Sequence, residues 1–120
     1  MGLTITEVSE RTGLSPHTLR YYERDGLMLH EVDRTPAGRR EYSDRDVNGI
    51  IMVARLRATG MPVRVIRRYA ELVRKGPGNE EARLAILEAH RERVLVQLAE
   101  ATENLNAIES KIELYQKALT

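Results

Sequence analysis

Within eight residues the chain places Ser15, His17, Thr18, Arg20, Tyr21 and Tyr22, all side chains that donate or accept hydrogen bonds. Arg34 follows, and then Arg39, Arg40 and Tyr42 beside the turn-forming run Thr35-Pro36-Ala37-Gly38. A guanidinium presents a planar fork of donors that suits phosphate oxygens and guanine edges. The chemistry on offer is therefore recognition of a nucleic acid. Catalysis is not expected, because the carboxylates are scattered, with no pair, no His triad and no Gly-rich phosphate loop among them. His30 and His90 stand apart from other ligating residues and are expected at the surface. The absence of cysteine excludes disulfides, thiolate metal sites and thiol redox chemistry from the chain's own residues. No cofactor and no metal are expected.

These residues need elements to hold them. Residues 6–12 read as a short helix capped by Thr6, with Ile5, Val8 and Leu14 as its apolar contacts and Gly13 ending it. Ser15 is a good N-cap and Pro16 suits a first helical position, so a second helix should run from there to Asp25-Gly26. Two short helices joined by a tight Gly-containing turn make a helix-turn-helix, whose second helix enters the major groove. Leu27-Met28-Leu29 is a strand candidate, Arg34–Gly38 a turn, and Arg39–Tyr42 the return. Such a hairpin is a wing able to lie on a phosphate backbone.

Ser43-Asp44-Arg45-Asp46 should cap a third helix. Its apolar face is expected at Val47, Ile50, Ile51 and Ala54, with Val53 and Leu56 beside it, and Gly60 ends it. Met61-Pro62 opens a fourth helix with Val65, Ile66, Tyr69, Leu72 and Val73 inward and Arg64, Arg67, Arg68 and Arg74 outward. Met52 and Met61 are expected as core filler. Gly76-Pro77-Gly78 then breaks the chain. Beyond it, Leu84, Leu87, Arg91, Val94, Leu98, Ala101, Leu105, Ile108, Ile112, Tyr115 and Leu119 alternate spacings of three and four. That is a heptad seam on a helix about 60 Å long, too long for a small head to cover. It is expected to be buried against a second copy of the chain as a coiled coil. Arg91, the one charged seam position, would either set register or reach a carboxylate on the partner helix. The fold class that results is mainly α: a winged helix-turn-helix head over 1–75 and a dimerisation helix over 79–120.

Composition agrees. The chain has 120 residues, no Phe, no Trp and five Tyr, so its core must be aliphatic and thin. Small chains of this kind often draw stability from a partner subunit. The net charge of +1 hides an asymmetry: residues 1–78 carry 14 Lys/Arg against 10 Asp/Glu, and residues 79–120 carry 5 against 8. Thirteen of the 14 basic residues in the first part are Arg. No apolar run approaches the roughly 20 residues of a membrane span, and the first residues lack the basic and apolar regions expected of a signal peptide. A cytoplasmic location without a membrane partner is expected.

Residues 5–42 resemble the N-terminal signature of the MerR family of bacterial regulators. The resemblance rests on Ile5, Glu7-Val8, Thr12-Gly13-Leu14-Ser15, Thr18-Leu19-Arg20-Tyr21-Tyr22-Glu23, Gly26-Leu27, Arg34, Gly38, Arg40 and Tyr42. It implies a winged helix-turn-helix, an antiparallel coiled coil between two protomers, and binding to a palindrome inside a promoter. Such regulators act where the spacer between the −35 and −10 elements is too long, twisting and bending the DNA so that RNA polymerase engages both.

On this reading His17, Thr18 and Arg20 face DNA, unless Arg20 pairs with Glu23 or Glu7. Tyr21 and Tyr22 divide the work, one hydroxyl reaching a phosphate and one ring packing in the core. Arg34, Arg39 and Arg40 line the wing, Arg64 adds a contact from the fourth helix, and Tyr42 packs the wing more than it touches DNA. Arg39 departs from the family pattern by adding charge there. Metal-sensing relatives carry cysteines at both ends of the dimerisation helix, and thiol sensors carry one where Arg55 stands here. The chain ends at Thr120, where drug-sensing relatives continue into a further domain. The resemblance therefore does not identify an effector, which is expected to be an uncharged or weakly polar small molecule held by Ile66, Tyr69 and Leu72 against Leu84 and Leu87, a partner protein, or absent altogether. Two other classes use similar parts, an architectural DNA-bending protein without effector control and a coiled-coil adaptor.

Overall fold

The computed structural model describes residues 2–120. Seven elements follow in order: α1 (Ile5–Thr12), α2 (Pro16–Arg24), β1 (Asp33–Arg34), β2 (Arg40–Glu41), α3 (Asp44–Ala58), α4 (Val63–Arg74) and α5 (Glu80–Ala118). They form two compact units, Met1–Ile86 and Leu87–Thr120.

α1 starts one residue earlier than expected, and its cap is Thr4 rather than Thr6. Thr4 Oγ1 accepts from the Glu7 amide at 3.2 Å while the Glu7 carboxylate accepts from the Thr4 amide at 2.9 Å. This reciprocal pair satisfies two donors at once, which a cap at Thr6 would leave open. At the other end Gly13 sits at φ +76°, a left-handed conformation in which a Cβ is disfavoured. Its amide donates to the Ser9 carbonyl at 2.9 Å, and the chain turns into α2. Ser15 caps α2 through its hydroxyl, which accepts from the Thr18 amide at 3.1 Å, with Pro16 in the first turn.

The expected strand at Leu27-Met28-Leu29 does not form. All three side chains are buried, yet the backbone there is a loop. An apolar run of three fills the core equally well without a ladder partner. Leu29 packs on Gly49 of α3, where an added Cβ would lie 3.3 Å from Leu29 Cβ. The wing's strands are two residues each, paired Asp33 with Glu41 and Arg34 with Arg40. Leu3 joins them through an antiparallel bridge to Tyr42, with N–O distances of 2.7 and 2.9 Å. Gly38 at the wing tip holds φ +85°.

α3 begins with a capping box between Ser43 and the buried Asp46. Its buried face is Val47, Ile50, Val53 and Leu56, so Ile51 and Ala54, expected in the face, are only half-buried. α4 buries Ile66, Ala70 and Leu72, while Val65, Tyr69 and Val73 are half-buried. Met61 is in the core and Met52 at its margin. Val8, Leu19, Leu27, Tyr42, Ile50, Val53 and Ile66 are fully enclosed, so the head's core is aliphatic apart from Tyr42 and the buried Tyr22. α5 runs 39 residues without interruption. His90 on this helix is buried rather than at the surface, and His30 is half-buried. None of the helices among the described residues is long and apolar enough to cross a membrane.

Candidate nucleic-acid interface

α2 divides its side chains cleanly. Leu19 and Tyr22 point into the head, 1% and 4% exposed, while His17, Arg20 and Arg24 are exposed and Tyr21 is half-buried. Positions 17, 20, 21 and 24 share one outer face at helical spacing. The division between the two tyrosines is thereby settled: Tyr22 belongs to the core and Tyr21 to the outer face. Burial pushes the Tyr22 hydroxyl up from its ordinary pKa, so it stays neutral there. Tyr21 is flanked by Arg24, whose guanidinium carbon lies 5.7 Å from the ring centre. That is within cation–π range. Ser15 and Thr18 are occupied at the helix start, their hydroxyl oxygens 3.1 Å apart.

Arg20 is exposed, and neither suspected carboxylate holds it. Glu7 is engaged with Thr4, and Glu23 faces the wing. There the Arg40 Nε donates to Glu23 Oε2, while an Arg34 nitrogen lies 3.5 Å from Glu23 Oε1. A second Arg34 nitrogen donates to the Gly38 carbonyl at 3.1 Å. The hydrogen bond to Glu23 holds the Arg40 pKa above its ordinary value. Three wing arginines were expected to contact DNA; Arg34 and Arg40 are engaged with Glu23, and Arg39 is exposed without that partner. Tyr42, grouped with the DNA-facing residues in the sequence, is 1% exposed and lies in the core beneath the wing. Burial first, and the Glu23 carboxylate second, push its hydroxyl up from the ordinary value.

Arg20, Arg39, Arg40, Gly38, Thr4 and Ile5 line one cleft of about 420 Å³ between α2, the wing and the start of α1. Three of these residues are arginines, and of them Arg40 is already paired with Glu23. Arg64 is exposed in the first turn of α4. Arg67 and Arg74 are exposed, as expected of outward positions, and each also reaches backbone carbonyls. The Arg67 Nε donates to the carbonyl of Asp25 at 2.8 Å, and Arg74 donates to those of Gly26, at 3.1 Å, and Met28. They tie α4 to the turn that ends α2. Three sets of contacts were thus not anticipated in the sequence: those of Glu23 with the wing and those of Arg67 and Arg74 with backbone carbonyls. Only Glu23 left a signal there, as a lone carboxylate in a helix facing a wing with three arginines.

A helix-turn-helix with a hairpin wing, an outer helix face of polar side chains and a cleft rimmed by arginines define a DNA-binding regulator. Comparison with known proteins agrees. The family profile described as "MerR HTH family regulatory protein" matches residues 3–72. An uncharacterized HTH-type transcriptional regulator of Haemophilus influenzae is 36% identical over 98% of this chain and 87% of its own length. The crystal structure of HiNmlR, a MerR family regulator lacking the sensor domain, bound to promoter DNA, superposes with a TM-score of 0.88 at 35% identity, covering 98% of this chain and 93% of that one. A MerR family regulator from Listeria monocytogenes gives the same TM-score at 32% identity, over 95% of this chain and 86% of that one. The chain belongs to the MerR family of helix-turn-helix transcriptional regulators.

Proposed function

We propose that this regulator binds a palindromic promoter site as a homodimer in the cytoplasm and distorts the DNA to control RNA polymerase. The head over 1–75 reads DNA, and residues 79–120 pair two chains. The observation that carries the reading is the common cleft of Arg20 and Arg39, which sets a recognition-helix cation and a wing cation on one face. His17, Arg20 and Tyr21 then meet the groove and its phosphates, with Ser15 and Thr18 at the helix start, while Arg39 and Arg64 hold the flanking backbone. Base contacts select the site, and phosphate contacts on both flanks offset a deformation cost of order 1–10 kcal/mol.

The dimer reading rests on α5. Leu84, Leu98, Leu105, Ile108, Ile112, Tyr115 and Leu119 are between 43% and 86% exposed in the single chain. Leu87 and Val94 are half-buried, and Ala101 is exposed. A contiguous apolar stripe of this extent on a monomer marks an interface. Its heptad spacing suits a second copy of the same helix in an antiparallel coiled coil. Arg91 lies 3.9 Å from Glu88 and 3.8 Å from Glu92, so its charge is compensated within its own helix. The architectural reading is not favoured, since the relatives are transcriptional regulators. A gel shift on the chain's own upstream promoter, repeated with RNA polymerase and followed by in vitro transcription, tests the proposal. A retarded complex and altered transcript yield are expected; a complex without any effect on transcription would return the protein to the architectural class.

A further inference from the structure

We propose that Glu23 is the positioning residue of the DNA-binding face, a single carboxylate that fixes the wing against the recognition helix by pairing with two opposed wing arginines. This rests on the DNA-binding reading above.

Arg34 and Arg40 are direct cross-strand partners in the wing. Like charges placed opposite one another in an antiparallel pair repel and weaken the pairing. The wing resists that repulsion through the backbone bonds at its tip and the bridge between Leu3 and Tyr42 at its base, both outside the Arg34–Arg40 pair. Its strands are two residues long, and a two-stranded hairpin is marginal by itself. Glu23 comes from a different element, α2, and offers one oxygen to each arginine. It is only 24% exposed, and the Arg40 side chain 31%, so the contact is shielded from solvent more than an ordinary surface pair. The Tyr42 hydroxyl beneath the wing has no hydrogen-bond partner of its own. The carboxylate therefore does two things at once: it offsets the Arg34–Arg40 repulsion and joins hairpin to helix. The consequence for binding is a division of labour. Arg34 and Arg40 are structural cations, and the distance between the groove-reading Arg20 and the backbone-holding Arg39 is set by Glu23.

Charge alone makes the opposite forecast. Replacing Glu23 with Gln raises the net charge of each chain by one, which should tighten binding to any DNA. Positioning says that specific binding weakens while non-specific binding does not.

The experiment compares wild type, E23Q, R40Q and the double variant on a promoter duplex and a scrambled duplex, by fluorescence anisotropy across a salt series. E23Q should lose about tenfold or more in the promoter-to-scrambled affinity ratio, and the double variant should lose no more than E23Q alone. A ratio unchanged in E23Q, or losses that simply add, would overturn the proposal. A second readout needs no DNA. Amide exchange at Thr35 and Gly38, which close the wing tip through the Arg39 and Thr35 carbonyls, should quicken about tenfold in E23Q while Ile66 in the core does not. Unchanged wing exchange would also overturn it. Wild type that treats both duplexes alike, with wing exchange still quickened by E23Q, would instead reject the DNA-binding reading and keep Glu23 as the tie of the wing.

Discussion

The Arg67 guanidinium of α4 donates a 2.8 Å hydrogen bond from Nε to the carbonyl of Asp25, the residue that caps the recognition helix. Seven residues along the same helix, Arg74 donates to the carbonyls of Gly26 and Met28. Helix C-termini leave carbonyls without internal partners, and cations there also complement the helix dipole. The pair thus completes the end of α2 and makes its orientation depend on α4. α4 in turn leads into α5 through a turn pinned by Asn79, whose amide donates to the Leu72 carbonyl at 2.8 Å.

Arg67→Ala and Arg74→Ala should each destabilise the fold by about 1 kcal/mol, the usual net worth of such a hydrogen bond, and weaken promoter binding as well. Arg68→Ala is the contrast. Its contact is a 3.7 Å exposed pair with Glu71 within one helix, which contributes little. Urea denaturation of the three variants checks this; equal losses at positions 67, 68 and 74 would remove the special role of the first and third.

The helix-turn-helix was readable because local signals and global fold agree there. Ser15-Pro16 marks one end of α2 and Gly26 follows the other, and both signals act within a few residues. Thr4 and Thr6 both suit a cap, and only the reciprocal bond from Glu7 decides between them. Leu27-Met28-Leu29 shows how an apolar run declares burial without declaring backbone conformation. Tyr21 and Tyr22, adjacent on a helix, are separated by about 100° of rotation, so one must leave the core, and only packing chooses which. The outward placement of Arg67 and Arg74 was legible but their partners were not, because the acceptors are backbone carbonyls that carry no residue signature.

Leu98→Lys combined with Leu105→Lys should convert the protein from dimer to monomer at micromolar concentration. Both positions lie in the seam, more than half exposed in the single chain. Charged pairs at facing core positions of a coiled coil repel and forfeit apolar burial. Sedimentation velocity reads the outcome, and an unchanged dimer would reject the seam. The monomer should also bind the promoter poorly, having lost the second half-site.

Stability should fall as pH drops below about 6.5. Burial, with the Arg45 charge second, lowers the His30 pKa from its ordinary value. Its neutral form is therefore favoured in the folded chain. Above the unfolded value both states are neutral and nothing is lost; as pH falls through it, the unfolded state takes up the proton first and is favoured. His30→Gln should flatten that part of the profile. Thermal melts of both proteins between pH 5 and pH 8 (the window around the reference value) decide it, parallel curves being the contrary result.

The central claim is that the face bearing Arg20 reads DNA. Affinity of wild type and Arg20→Ala for the upstream promoter duplex and a scrambled duplex, measured across salt concentrations, tests it most directly. Arg20→Ala should lose about 1–3 kcal/mol on the promoter duplex and much less on the scrambled one if the guanidinium reads a base edge. If it holds a phosphate, both duplexes should weaken alike and the salt slope should shrink by about one. Identical affinities for wild type and variant on both duplexes at every salt concentration would contradict the account.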